Sequence, residues 1–110
     1  MKMSRRAEHL KYRYGITELR YEQMLEDQGG ACAVCGVLNP GSHSPYFHVD
    51  HDHDCCPGTD TCGECLRGLL CQNCNHALGK LRDDIDTIKA AAKYVTKHKR
   101  KRESRANPTP

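Results

Sequence analysis

Hydrophobic residues recur at the spacing of an α-helix in three segments of the chain. The segments are residues 4–14, residues 19–27 and a stretch from residue 85 onward, in which one face carries Ile85, Ile88, Ala92 and Val95. A residue that can cap a helix stands at the start of each segment or shortly before it, namely Ser4, Thr17, and Asp83 or Asp84. Glycines, which commonly end helices, follow the first two segments at Gly15, Gly29 and Gly30. The pattern therefore predicts three helices.

Two short segments between the second and third helices favour β-structure, residues 47–51 and residues 67–71. Turn-forming residues and four cysteines separate these two segments. Residues 75–81 are predicted to form a further helical segment. We therefore expect a small α+β domain, in which a hairpin of two strands is followed by a helix and is flanked by others.

The chain has few large apolar side chains from which to build a core, with one Phe and no Trp in 110 residues, but it has eight Cys. A domain this poor in apolar side chains usually depends on disulfides or metal ions. The N-terminus is charged throughout and lacks the apolar segment of a secretory signal, and no run is long enough to span a membrane. We expect a cytoplasmic protein in which clustered cysteines bind metal.

Positive charge is concentrated at the two ends of the chain. The formal net charge is +3, and residues 97–105 carry six Lys or Arg against one Glu. Basic arms of this kind either remain solvated or contact the phosphates of a nucleic acid. The expected organisation is a basic helical segment at residues 1–15, a zinc-bound domain at residues 16–96 and a basic, disordered tail at residues 97–110.

Two Cys-x-x-Cys pairs, called knuckles below, predict a zinc site formed by Cys32, Cys35, Cys71 and Cys74. The two-residue gap lets both sulfurs of a pair reach one tetrahedral ion, and two pairs leave no coordination position open. The knuckles are 35 residues apart, more than the roughly 15–20 of a compact zinc ribbon. The zinc ion should therefore hold together the two ends of a long intervening segment. A thioredoxin-like redox role would require a βαβ pattern, which the sequence lacks.

A second set of cysteines lies in the segment between the two knuckles and consists of Cys55, Cys56, Cys62 and Cys65. Adjacent cysteines are awkward ligands for one ion because their side chains diverge, but Pro57 and Gly58 can turn the chain sharply. A loop of this composition would have little to order it without a ligand. The set predicts a second zinc ion, with disulfides or free thiols as the alternatives.

Residues 48–53 carry the side chains that phosphodiester hydrolysis needs. The reaction requires a deprotonated water and a cation that holds the charge developing on the phosphate. A neutral imidazole can accept the proton, and a carboxylate with an amide oxygen suits a hard divalent ion. His51, Asp50 and, directly after Cys74, Asn75 provide one of each. Taken alone, the run would better fit a surface strand or zinc-binding imidazoles, but its position between the knuckles favours catalysis.

The order and spacing of these motifs resemble those of the recombination endonuclease VII family, a phage and prophage branch of the HNH nucleases. The similarity rests on the two knuckles, on His-Val-Asp-His-Asp-His at residues 48–53 and on Arg-Gly-Leu-Leu before Cys71, and it covers about residues 15–95. It implies a zinc-stabilised ββα-metal (His-Me finger) core and a metal-dependent endonuclease that hydrolyses DNA in a bacterial host.

The same resemblance implies roles for individual residues. Asp50 and Asn75 would hold the catalytic Mg²⁺ or Mn²⁺, His51 would be the general base, and His53 would be a supporting active-site residue. The four knuckle cysteines would hold the structural zinc. The chain departs from the family pattern at Leu78, where some members carry a Glu, and in its four-cysteine insertion, which lengthens the hairpin.

Arg67, at the start of the second predicted strand, is our candidate for a DNA phosphate contact, because a guanidinium group binds phosphate through two hydrogen bonds. The alternative to an enzyme is a zinc module that binds nucleic acid without catalysis, although none of the three proposed catalytic residue types is missing. A metalloprotease would need His-Glu-x-x-His, which is absent.

Overall fold

The structure is a computed structural model that describes residues 2–41 and 44–106. Its helices are α1 (Arg5–His9), which continues as a π-helical turn (Leu10–Tyr14), then α2 (Glu18–Asp27), α3 (Gln72–Lys80) and α4 (Ile85–Ala106). The two strands are β1 (His48–His51) and β2 (Leu66–Leu70). The predicted small α+β architecture is confirmed in this form, with a two-stranded antiparallel sheet between helices α2 and α3 along the chain.

The predicted helix caps are present. Ser4, Thr17 and Asp84 each accept a hydrogen bond from the backbone N–H three residues further on, at 3.0, 3.1 and 3.1 Å. Gly15 ends the first helical segment with a φ of +69°, a left-handed conformation that costs glycine little. These contacts satisfy backbone groups that the helices themselves leave without partners.

Helix α3 begins three residues earlier than the sequence pattern indicated. The Sγ of Cys71 accepts a hydrogen bond from the backbone N–H of Cys74 at 3.4 Å, in the manner of a capping side chain. The cysteine that ends the sheet segment therefore also begins the helix, which places the second knuckle on the first turn of α3. Strands β1 and β2 differ from the predicted segments by one residue at their ends.

The apolar core is small and centres on β2. Leu10 and Leu69 are fully buried, and the other buried hydrophobic residues are Ile16, Tyr21, Met24, Cys32, Phe47, Val49, Leu70 and Cys71. Gln28, at the end of α2, packs beside β2 and makes hydrogen bonds with both backbone groups of Leu69, from Leu69 N–H to Oε1 at 2.8 Å and from Nε2 to the Leu69 carbonyl at 2.9 Å. The Gln28 side chain thus pairs with the backbone of β2 at Leu69, as a neighbouring strand would.

Packing divides the chain into two compact units, Met1–His76 and Ala77–Pro110. The first contains the sheet, both cysteine clusters and the residues predicted to be catalytic. The division describes packing alone, and the functional boundaries expected at residues 16 and 96 stay predictions. Among the helices that the structure describes, none is long and apolar enough to cross a membrane.

The prediction of a disordered tail from residue 97 is wrong as far as residue 106. Helix α4 continues without interruption from Ile85 to Ala106, and residues 107–110 lie outside the described part of the chain. The helix has no Gly or Pro and is rich in Ala, Lys and Arg, which are strong helix formers. The clustered positive charge of residues 97–105 therefore lies on a helix.

Candidate metal and catalytic site

The four knuckle cysteines come together in the structure. The sulfur atoms of Cys32, Cys35, Cys71 and Cys74 all lie within 4.8 Å of one another, and Cys35 Sγ is 3.7 Å from Cys71 Sγ. The first knuckle is a tight turn, in which Gly36 N–H donates to the Cys32 carbonyl at 3.0 Å with a left-handed φ of +77° at Gly36. This arrangement of four sulfurs can hold a zinc ion.

The electrostatics of this cluster favour a thiolate at Cys32. Burial alone would raise the pKa of Cys32, but backbone N–H groups of Cys35, Cys71 and Val34 point to its sulfur and lower the pKa to about 6. The Val34 N–H lies 3.5 Å from that sulfur. A thiolate is the form of cysteine that binds zinc.

The second set of cysteines also forms a cluster. The sulfur atoms of Cys55, Cys56, Cys62 and Cys65 lie within 4.8 Å of one another in the loop that joins β1 to β2. The backbone N–H of Glu64, with neighbouring thiols, lowers the pKa of Cys62 to about 7. The loop therefore gathers a second four-sulfur group that can hold a zinc ion, as the sequence predicted.

The sheet is irregular at the point where the sequence analysis placed the catalytic residues. Asp50 pairs with Gly68 and His51 pairs with Leu66, so Arg67 is an extra residue that forms a β-bulge in β2. The guanidinium group of Arg67 binds the carboxylate of Asp50, with Nε 2.7 Å from Oδ2 and Nη2 3.1 Å from Oδ1. Bulges re-aim side chains at the edges of sheets, and this one directs Arg67 to Asp50.

His51 is 6% exposed, and one of its ring nitrogens is held by the loop. Its Nε2 lies 2.9 Å from the carbonyl oxygen of Cys56 and 3.1 Å from that of Gly58. A carbonyl oxygen only accepts, so Nε2 must carry the proton, and in the neutral ring Nδ1 is then the acceptor. The ring of His53 packs against this ring with centroids 4.4 Å apart.

Asn75 lies on the first turn of α3, directly after the knuckle residue Cys74, and is partly buried. Within residues 2–41 and 44–106, its side-chain amide makes no hydrogen bond, so its oxygen is available to a ligand. The next residue, His76, has its ring 6.2 Å from that of His48 on β1. Burial, His76 and Arg13 together hold the pKa of His48 below its ordinary value, so His48 favours the neutral form.

The carbonyl oxygens that position His51 and the side chain that supports β2 were not predicted from the sequence. The carbonyls of Cys56 and Gly58 position His51, but backbone carbonyls carry no sequence pattern of their own. The adjacent Pro57, next to Gly58, indicated a turn but not what the turn would contact. Gln28 was missed as well, because its contact with Leu69 joins residues 41 positions apart.

These features define a small α+β protein in which two clusters of four cysteines flank a bulged two-stranded sheet. The recombination endonuclease VII family model matches residues 7–97, and the chain belongs to this family.

Two phage proteins are similar to the chain. The Gene 59 protein of Mycobacterium phage L5 is 40% identical over 83 residues, and the Gene 59 protein of Mycobacterium phage D29 is 38% identical over 85 residues. The matched parts are 74% and 76% of this chain but 44% and 46% of the relatives, so the chain spans less than half of each relative's length. No solved structure matches the chain.

Proposed function

We propose that the protein is a metal-dependent DNA endonuclease with a ββα-metal (His-Me finger) site of the HNH type, in which His51 is the general base. The observation that carries the proposal is the contact of His51 Nε2 with two carbonyl oxygens, at 2.9 and 3.1 Å. Because Nε2 carries the proton, Nδ1 is the acceptor atom of this buried imidazole. The preceding residue, Asp50, carries a carboxylate that is also buried. A base with a fixed tautomer beside a metal-binding carboxylate is suited to activating a water for attack on phosphorus.

The order of the elements supports the ββα assignment. Two antiparallel strands are followed directly by a helix, β1, β2 and then α3. Asp50 and His51 belong to β1 and Asn75 belongs to α3, so the proposed general base and both proposed metal ligands belong to these elements. The knuckle site holds the junction between β2 and α3, because Cys71 and Cys74 flank the start of the helix.

Asp50 and Asn75 are the residues that would hold the Mg²⁺ or Mn²⁺. A carboxylate and a neutral amide oxygen are the ligand types that hard divalent ions prefer, and such ions keep several waters. The Asn75 amide makes no hydrogen bond within the part of the chain that the structure describes, which fits this role. When bound, the ion would stabilise the negative charge that develops on the phosphate and on the leaving oxygen.

His51 takes the proton from the attacking water at Nδ1, while the two carbonyls stabilise the imidazolium that results through Nε2–H. His53 supports the orientation of the ring by packing against it. In the absence of substrate, Arg67 pairs with the carboxylate of Asp50. When that carboxylate holds the divalent ion, the guanidinium group of Arg67 would turn to a phosphate oxygen of the DNA. Leu78 stands where some family members carry a Glu and has no ligand oxygen, so a water or the substrate would have to take that place on a bound ion.

DNA as the substrate is supported by the family and by the charge of the chain. The family is that of recombination endonuclease VII. Residues 97–105, on α4, carry six Lys or Arg against one Glu, and such a run attracts phosphate without regard to sequence.

The proposal is tested with zinc-loaded protein on supercoiled plasmid, linear duplex and a four-way junction, with and without added Mg²⁺. We expect cleavage of at least one substrate only when Mg²⁺ is present, and loss of cleavage in Asp50→Asn. Glu22→Gln, an exposed acidic residue on α2, is the matched control and should cleave like the wild type.

Binding of DNA without cleavage of any substrate, in the presence of Mg²⁺ or Mn²⁺, would contradict the proposal. That outcome would instead support a zinc module that binds nucleic acid without catalysis. Comparison of the three substrates identifies whether branched or ordinary duplex DNA is preferred.

A further inference from the structure

The loop between β1 and β2 has almost no apolar residues with which to order itself. Most of its residues are exposed, and those that are partly buried are Cys56, Thr61, Gly63 and Cys65. Fixing the backbone of each residue costs on the order of 1–2 kcal/mol, and this loop buries little apolar surface to offset that cost. Something other than hydrophobic packing must hold it.

The far side of the loop is held by the N-terminal helical segment. Thr61 N–H donates to the carbonyl of Arg13 at 2.8 Å, and Gly63 approaches Gly15 so closely that a Cβ at Gly63 would lie 2.6 Å from the Gly15 carbonyl oxygen. These contacts fix residues 61–63. They do not hold the turn at residues 56–58, which carries the two carbonyls that contact His51.

The sulfur atoms of the loop have the spacing of a metal site. Cys55 Sγ is 3.8 Å from Cys62 Sγ, and both the Cys55–Cys56 and the Cys62–Cys65 sulfur pairs are 4.0 Å apart. Four sulfurs at about 2.3 Å from a tetrahedral zinc are about 3.8 Å from one another. A disulfide would bring two of them to about 2.0 Å, so the spacing fits an ion and not a covalent bridge.

The adjacent cysteines reach the same centre because the chain turns sharply before them. The backbone N–H groups of Cys55 and Cys56 both donate to the Asp52 carbonyl, each at 3.1 Å. The backbone N–H of Cys62 then donates to Cys56 Sγ at 3.4 Å, which ties the two halves of the cluster together. Such N–H contacts to sulfur are typical of zinc-bound thiolates.

Cys56 connects this cluster to His51. Its Sγ belongs to the four-sulfur group, whereas its carbonyl oxygen lies 2.9 Å from His51 Nε2. The carbonyl of Gly58, two residues further on, lies 3.1 Å from the same nitrogen. An ion that fixes the sulfur of Cys56 therefore also fixes the carbonyl that determines which nitrogen of His51 carries the proton.

We propose that Cys55, Cys56, Cys62 and Cys65 bind a second zinc ion, and that this ion acts as a positioning element for His51 through the carbonyl of Cys56. The ion does not contact the substrate. Its role is to hold the ring of His51 with Nε2–H toward the loop and Nδ1 exposed for proton transfer. The kinetic part of this inference rests on the proposed nuclease function, but the zinc content and the state of the histidine ring do not.

The test compares the wild type with Cys62→Ser, which removes one sulfur but leaves in place Cys56 and Gly58, the residues whose carbonyls contact His51. Asp60→Asn, an exposed substitution in the same loop, is the matched control. Metal analysis should find two zinc ions per chain in the wild type and the control, and one in Cys62→Ser. The variant should bind DNA with an unchanged KM and lose about 10- to 100-fold in kcat, the usual effect of removing a group that orients a reactive one. Cys62→His, which retains a zinc ligand, should recover the second ion and most of kcat.

Two further measurements keep the inference separate from the proposed function. NMR of ¹⁵N-labelled histidine should show His51 as the Nε2–H tautomer in the wild type and as a mixture of tautomers in Cys62→Ser. The wild type loaded with ¹¹³Cd should give two four-sulfur signals, a result that does not depend on any variant.

One zinc per chain, or one cadmium signal, would overturn the second site. Loss of the ion with no change in kcat or in the tautomer would overturn the positioning role. If the wild type fails to cleave DNA, the proposed function fails, and zinc content and NMR still decide this inference.

Discussion

Arg67 binds Asp50 through both carboxylate oxygens, at 2.7 Å from Nε to Oδ2 and 3.1 Å from Nη2 to Oδ1. The contact depends on the bulge, because Arg67 is the residue that β2 gains relative to β1. Asp50 is 9% exposed, so a partner is needed for its charge. The residue proposed to hold the divalent ion is thus already paired with a cation, and the ion must compete with Arg67 for the carboxylate.

The first prediction concerns this competition. Arg67→Met should bind Mn²⁺ several-fold more tightly in the absence of DNA, because the guanidinium group no longer occupies the carboxylate. Its kcat/KM for DNA should fall, since the phosphate contact is lost as well. Calorimetric titration with Mn²⁺ measures the affinity, and Arg20→Met, an exposed arginine on α2, is the control. Unchanged or weaker Mn²⁺ binding in Arg67→Met would show that the two cations do not compete.

The second prediction concerns stability. Gln28→Ala should lower the free energy of unfolding by about 1–3 kcal/mol, because the N–H of the fully buried Leu69 loses its acceptor. Gln23→Ala, an exposed glutamine on the same helix, should change it by no more than about 0.5 kcal/mol. Denaturant unfolding followed by circular dichroism measures both. Equal effects of the two substitutions would mean that the Gln28 side chain does not support β2.

The third prediction concerns the knuckle zinc. Complete removal of zinc should abolish the cooperative unfolding transition, because the small apolar core cannot hold the junction of β2 and α3 without it. Dispersion of amide signals in NMR should collapse, and added Zn²⁺ should restore it whereas added Mg²⁺ should not. Retained dispersion in zinc-free protein would contradict a structural role for this site.

The fourth prediction concerns the basic end of α4. Replacing Lys97, Lys99, Arg100, Lys101 and Arg102 with Gln should weaken DNA binding about equally across sequences and make its salt dependence shallower. The bound DNA should still be cleaved at the wild-type rate. Glu103→Gln, which adds to the net positive charge, should have the opposite effect on affinity. Affinity at low salt that is the same in all three proteins would show that the basic run does not contact DNA.

The features that the sequence predicted correctly depend on local spacing. The Cys-x-x-Cys pairs, the second cysteine set and the caps at Ser4, Thr17 and Asp84 involve residues close together in the chain, and the structure confirms their grouping. Asp50 and His51 are neighbours on one strand, and regular alternation would send their side chains to opposite faces of the sheet. A shared site therefore requires an irregular sheet at this point, and the register shifts between these two residues.

The features that were missed depend on long-range contacts or on competing tendencies. Gln28 meets Leu69 only after the sheet has formed, and the partner of Arg67 is set by a bulge that no local pattern specifies. Helix α4 extends to Ala106 because helix-forming side chains outweigh the repulsion between its positive charges. The roles of Asp50, His51, His53 and Asn75 in catalysis stay predictions.

The most direct test of the account is the single-turnover rate of DNA cleavage by His51→Ala at saturating protein and Mg²⁺. We predict a fall of about 10²–10⁴-fold, the usual cost of losing a general base, with the fold, zinc content and DNA affinity of the wild type. His98→Ala, which removes an exposed histidine from α4, should cleave at the wild-type rate. Cleavage by His51→Ala at the rate of the wild type would contradict the central claim that His51 activates the attacking water.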